Sequence, residues 1–150
     1  MKKETKRVIG GIKKSPWISF FNSGGCNGCA IECVASTTPR YDIERFGCII
    51  KASARQCDIL LVSGPGTLQC EDRLRTVYEQ MAEPRVVVGV GTCAISGGLF
   101  RESYSFGKRV DEIVPVDIYI PGCPPRPEAI IQGLLKGLKL LSEKNGNKND

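Results

Sequence analysis

The sequence predicts an α/β fold, a three-layer sandwich built on a mostly parallel sheet. Three observations carry that expectation. Short β-branched runs alternate along the chain with stretches whose apolar residues recur at helical spacing, the pattern of strand–helix–strand units. Such units cross over right-handedly and leave helices on both faces of a parallel sheet. The run Val86-Val-Val-Gly-Val90 is apolar without alternation, as a strand covered on both sides requires. Finally, 150 residues that are 41% hydrophobic and 25% charged suffice for one domain with its own core and argue against disorder.

The elements follow in order. Trp17-Ile-Ser-Phe-Phe21 reads as a short buried strand ended by the turn Asn22-Ser-Gly-Gly25. Asn27 to Ser36 starts a helix, which Pro39 stops, because the residue before a proline avoids the helical region. Ile59-Leu-Leu-Val62 is a second strand, broken at Gly64-Pro-Gly66. Leu74, Val77, Tyr78 and Met81 share a helical face, which predicts an amphipathic helix over Glu71 to Met81. Pro84 separates it from the Val86–Val90 strand. A loop of about twenty residues follows, rich in Gly, Ser and aromatics and long enough to suggest function. Val116 to Ile120 is a strand with Pro115 and Pro121 at its ends. Glu128 to Leu141 is the last helix, with Ile130, Ile131, Leu134, Leu138 and Leu141 on its apolar side. The arrangement is of flavodoxin-like type, and in such sheets ligands bind beyond the carboxyl ends of the strands.

The formal charge of +5 is not spread over this fold. Lys2, Lys3, Lys6, Arg7, Lys13 and Lys14 stand against Glu4 alone, and the rest of the chain balances. Residues 1–15 are therefore a basic N-terminal arm, residues 16–141 the folded domain and residues 142–150 a polar C-terminal tail. A nucleic-acid-binding domain would spread its basic residues over a folded face, so no nucleic acid partner is expected. The arm is either solvated or docks on a partner subunit or an anionic membrane surface. No apolar run approaches the roughly 20 residues that span a bilayer, and no apolar signal core follows the first charges. The expected location is cytosolic, within reach of a membrane-bound assembly.

The chain has 8 Cys and no His. That excludes a Ser-His-Asp triad, a Cys-His nucleophile pair, mixed Cys/His zinc sites and a histidine-ligated haem. Eight Cys in such a chain suit metal ligation or buried thiols better than a disulfide framework. Cys26 and Cys29 form C-x-x-C after the first strand, Cys93 follows Val90 closely, and Cys123 follows Ile120. Four thiols thus lie beyond three strands at one sheet edge, each with Gly nearby. Glycine lets backbone amides approach a bulky ligand and hydrogen-bond its sulfides. An iron–sulfur cluster fits this pattern. A Cys₄ zinc site usually shows two C-x-x-C knuckles, unligated thiols remain open, and a thioredoxin-like motif would explain only the first pair. Cys33, Cys48 and Cys57 read as core thiols, while Cys70 lies where it could face the same edge.

The residues also resemble a known family. Ser23-Gly-Gly-Cys-Asn-Gly-Cys29, Gly91-Thr-Cys-Ala94 with Gly97-Gly98, and Pro121-Gly-Cys-Pro-Pro-Arg-Pro-Glu128 are similar to the small subunit of energy-converting membrane-bound NiFe hydrogenases, homologous to the 20 kDa subunit of respiratory complex I. Arg40-Tyr-Asp-Ile-Glu-Arg-Phe-Gly47 and Ile113-Val-Pro-Val-Asp-Ile-Tyr-Ile-Pro-Gly122 match as well. The likeness covers residues 16–141. It implies one 4Fe-4S cluster, the proximal one, held by Cys26, Cys29, Cys93 and Cys123 at the C-terminal strand edge. It also implies electron transfer from ferredoxin-like iron–sulfur subunits to a hydrogenase-like large subunit, with membrane subunits alongside, on the cytoplasmic side of the cell membrane. The C-x-x-C spacing sides with the hydrogenase branch, whereas Cys29-Ala-Ile-Glu32 reads as complex I does. Membrane-bound sulfane-sulfur reductases share the architecture without a nickel site.

Four charged positions belong to these motifs. Glu32 is a proton relay, an interface group or a helix-start carboxylate favoured by the dipole. Arg40, Arg45 and Arg126 place a guanidinium near the cluster or interface, or form surface salt bridges. Trp17, Phe20, Phe21, Phe46 and Tyr104 suggest a covered face at the site edge, which favours a subunit over a free-standing carrier.

Overall fold

The structure, a computed structural model, describes residues 15–146. Most of the expected basic arm, residues 1–14, and the end of the polar tail, residues 147–150, lie outside the described residues. Among the described residues five strands make one sheet: β1 (Trp17–Asn22), β2 (Ile49–Ile50), β3 (Ile59–Ser63), β4 (Val86–Val90) and β5 (Ile118–Ile120). Their spatial order is β2-β1-β3-β4-β5 and every pairing is parallel, the flavodoxin-like order. Five α-helices accompany them: α1 (Gly28–Ala35), α2 (Leu68–Gln80), α3 (Thr92–Ser96), α4 (Val110–Ile113) and α5 (Pro127–Gly146).

The three layers follow from strand alternation, since successive side chains point to opposite faces. Ile59, Leu61, Val86, Val88 and Val90 pack with Cys33 of α1 and with Ile130, Leu134 and Leu141 of α5. Leu60, Val62 and Val87 point the other way, onto Leu74 of α2, Ala94 of α3 and Val110 of α4. Cys48 and Cys57 are buried in these two cores, as expected. Burial pushes both thiols up to about 11.

The N-terminal edge of the sheet is closed by two aspartates that act as backbone acceptors. Asp58, before β3, donates its N–H to the Trp17 carbonyl (2.8 Å), and its Oδ2 accepts the Trp17 N–H (2.9 Å). Asp117, before β5, repeats the exchange with Val87 (2.9 Å each way).

The structure departs from the expected elements at several ends. β2 was not expected; it is too short to show alternation and exists through its register with Trp17 and Ile18. α2 begins at Leu68 rather than Glu71, because the carbonyl of extended Thr67 accepts the N–H groups of Cys70 and Glu71. The long loop after β4 contains α3, a 3₁₀ turn at Gly98–Phe100 and α4, each too brief for helical periodicity to register. α5 continues past Leu141, and Lys144 anchors its end with Nζ 2.6 Å from Asp117 Oδ1 and 3.1 Å from the Arg85 carbonyl. Trp17 is not at the site edge: as the first residue of β1 it lies at the opposite end of the sheet, under Lys51 (4.9 Å).

Candidate metal centre

Cys26 and Cys29 follow β1, Cys93 lies in α3 directly after β4, and Cys123 follows β5. All four therefore stand at the carboxyl edge of the sheet. Cys26 and Cys123 are exposed, Cys29 and Cys93 half-buried. Asn27 turns the chain between the first pair with φ of 71°, a conformation Asn tolerates better than most residues.

Close backbone approach brings the loops together. A β-carbon at Gly91 would sit 2.6 Å from Cys29 Sγ, and the φ of +86° there suits glycine alone. A β-carbon at Gly98 would lie 3.2 Å from Cys93 Sγ. Gly28 lies between Cys26 Sγ and the ring of Pro124, beside Cys123. Backbone bonds hold the β4 and β5 loops together: Gly91 N–H donates to the Ile120 carbonyl (2.8 Å) and Thr92 N–H to the Gly122 carbonyl (2.8 Å), which also accepts Thr92 Oγ1 (3.1 Å). On the knuckle side, Asn22 Oδ1 accepts the N–H groups of Gly24 (3.1 Å) and Gly25 (2.8 Å).

Cys29 and Cys93 each lie within electrostatic reach of Cys26 and Cys123. Cys29 is pushed up to about 11 by burial first, then by Cys93, Cys26 and Cys123. Cys93 is raised by burial, then by Cys123 and Cys26. No guanidinium is among the charges acting on either. Neighbouring thiols of this kind ionise together only with a cation among them, and thiolate donors suit a soft metal centre. Among the described residues no three Cys, Asp or Glu side chains converge as a single-ion site requires.

The remaining candidates separate cleanly. Glu32 lies beyond the first turn of α1, which holds no acidic residue, so it is not a helix-start carboxylate. It adds to burial and Cys29 in pushing the Cys33 thiol up to about 12. Arg40 and Arg45, beyond the end of α1, lie over the rings of Tyr41 (5.6 Å) and Phe46 (4.9 Å). Arg126 stands just before α5 and its carbonyl accepts the Ala129 and Ile130 N–H groups. Cys70 sits in the first turn of α2 and is not among the thiols acting on Cys29; it lines an open cavity of about 490 Å³ with Gly24, Thr67, Leu68, Tyr104 and Ser105. Sequence reasoning passed over Asn22, Ser23 and Thr92. The signal for the first two was present, since Asn and Ser at a strand end are turn-forming hydrogen-bonders.

Fold and edge together define a class, parallel α/β proteins whose strand ends converge on a set of thiols. Residues 26–137 match the family described as NADH ubiquinone oxidoreductase, 20 Kd subunit, and the chain belongs to that family. It is 49% identical over 132 residues to the probable membrane-bound hydrogenase subunit mbhJ of Pyrococcus furiosus, across 88% of this chain and 79% of that one. It is 48% identical over 134 residues to an NADH-quinone oxidoreductase subunit of Citrifermentans bemidjiense, across 89% and 76%. Among solved structures it resembles a chain of the membrane-bound sulfane sulfur reductase, an archaeal respiratory membrane complex, with a TM-score of 0.78 and 38% identity over 91% of this chain and 76% of that one. Its likeness to a chain of an NAD⁺-reducing [NiFe]-hydrogenase, at 24% identity and a TM-score of 0.65 over 83% and 92%, is one of fold. Among the described residues no helix is long and apolar enough to cross a membrane.

Proposed function

We propose that this chain is the electron-transfer subunit of a membrane-bound respiratory oxidoreductase of the energy-converting hydrogenase type, with one 4Fe-4S cluster, the proximal one, on Cys26, Cys29, Cys93 and Cys123. The observation that carries the reading is the placement of these four cysteines beyond the carboxyl ends of three parallel strands, with glycine backbone closing on Cys29 and Cys93. When bound, such a cluster supplies one-electron storage and transfer. The chain's own residues supply the thiolates, the glycine backbone that admits a bulky group beside Cys29 and Cys93, and a rigid sheet behind them. In this reading electrons come from a ferredoxin-like iron–sulfur subunit and go to a hydrogenase-like large subunit. Membrane subunits complete the complex, with this chain peripheral on the cytoplasmic side. Catalysis belongs to the large subunit, because four protein ligands leave no exchangeable position here.

A second reading keeps the same role in a membrane-bound sulfane sulfur reductase or a complex I-like quinone oxidoreductase; similarity to a chain of the former favours it. Two C-x-x-C pairs in the large subunit that co-purifies would decide for the hydrogenase. A free-standing carrier is less well supported, because Leu99 and Tyr104 stand 93% and 98% exposed beside the thiol edge.

Ligand substitution tests the assignment. Cys93→Ala or Cys123→Ala is expected to abolish the cluster signal in the reduced-state EPR spectrum, while Cys48→Ala, in the core, retains it. Loss with Cys48→Ala and retention with Cys93→Ala would overturn the ligand set.

A further inference from the structure

β1 and β3 are adjacent, with Asn22 opposite Ser63, so the loops leaving them run side by side. Ser23, the first residue beyond β1, is wholly buried at 0% exposure. Its N–H and its Oγ both donate to the Ser63 carbonyl (2.7 and 2.8 Å). The same Oγ accepts the Gly66 N–H (3.1 Å), and the Ser23 carbonyl accepts the Thr67 N–H (3.1 Å). An alanine here would keep both main-chain bonds and lose both hydroxyl bonds; the Ser63 carbonyl would still hold the Ser23 N–H, whereas the Gly66 N–H would lose its tie to Ser23. That tie leads onward. The Gly66 carbonyl accepts the Gly107 N–H (3.1 Å), and a β-carbon on Gly66 would collide with the Lys108 carbonyl. Gly107 follows Phe106, whose ring would stand 2.9 Å from a β-carbon at Gly97, in the turn just past Cys93. The bonds of Ser23, three residues before Cys26, thus lead through Gly66 to Gly107, next to the ring that abuts the Cys93 turn.

We propose that Ser23 is a positioning residue for the metal centre: its buried hydroxyl holds the Cys26/Cys29 knuckle in register with the Cys93 side. This rests on the ligand set proposed above. The test uses the complex purified anaerobically with its partner subunits, comparing wild type with Ser23→Ala, Ser23→Thr and Ser36→Ala. Ser36 is the control, equally buried at 2% exposure, with its Oγ bonded to the Cys33 carbonyl (2.6 Å) at the far end of α1.

Ser23→Ala is expected to shift the g-values of the reduced-state EPR signal and to release iron to a chelator roughly fivefold faster, the scale of one buried hydrogen bond. Ser36→Ala is expected to leave the g-values at their wild-type positions, and Ser23→Thr, which keeps the hydroxyl, to restore them. Unchanged g-values and release in Ser23→Ala would overturn the proposal, as would equal shifts in both serine-to-alanine variants. If Ser23→Ala does not accumulate, Ser23→Thr is read alone: wild-type g-values support the proposal and shifted ones refute it. A cluster signal that survives both Cys93→Ala and Cys123→Ala would remove the ligand set itself, a separate failure.

Discussion

Asp58 substitutes a side chain for a main-chain acceptor at the head of β1, and its charge is held there at a disadvantage. Burial raises its carboxyl above the ordinary 3.8, partly offset by the bond from the Trp17 N–H. The folded state therefore binds a proton more tightly than the unfolded state at this residue. Its contribution to stability falls as pH rises through that window, and the penalty is fully present at neutral pH. Asp58→Asn keeps an acceptor for Trp17 and removes the charge. Denaturant melts are expected to show it at least as stable as wild type at neutral pH, with a flatter pH profile just above the carboxylate range. Asp58→Ala leaves the Trp17 N–H unpaired and should cost about 1 kcal/mol. An Asn variant as weak as the Ala variant would show that the charge itself is needed.

α5 meets the sheet through two glycines that differ in the room they have. A β-carbon at Gly133 would lie 2.6 Å from Ile120 Cγ1, whereas one at Gly137 would meet nothing nearer than 3.6 Å, the Ile59 Cδ1. Gly133→Ala should therefore push on β5 and destabilise by about 1–2 kcal/mol, the usual cost of overpacking less the gain in helix propensity. Gly137→Ala fits and should be neutral or stabilising by up to about 1 kcal/mol. Thermal melts of the two variants should move in opposite directions; a shared direction would mean the helix can slide. This contrast marks what the sequence could reveal. The strands β3 and β4, the apolar faces of α2 and α5, and the three cysteine loops were readable because periodicity and Gly/Pro punctuation are local. β2 and the aspartate exchanges at Trp17 and Val87 were not, because each is created by a partner strand distant in sequence. Trp17 was misplaced for the same reason: its apolarity was visible, but not the end of the sheet it occupies. Ser23 looked like one more turn residue until Gly66 was brought beside it.

At the scale of the molecule, one edge bears the thiols and, among the described residues, the most exposed large apolar side chains, Leu99 and Tyr104. Their loop is not slack: Leu68 N–H donates to the Ser105 carbonyl (3.0 Å), and Lys108 Nζ lies 2.7 Å from Glu71 Oε1. Large apolar groups on a pinned support are what an interface centre uses. Replacing Leu99 and Tyr104 together by Ser should weaken capture of the proposed large subunit at least about tenfold, with the circular dichroism of this chain unchanged. Undiminished co-purification would put the interface elsewhere. The placement of the cysteines has a further consequence, for biogenesis. The proposed ligands are strung from residue 26 to residue 123, and the last hangs beyond β5, at one margin of the sheet. A ribosome releases the first pair of thiols long before the last, so the nascent chain cannot present the full set until nearly the whole domain has emerged. On the proposed ligand set, the site is completed only when nearly the whole domain has been made.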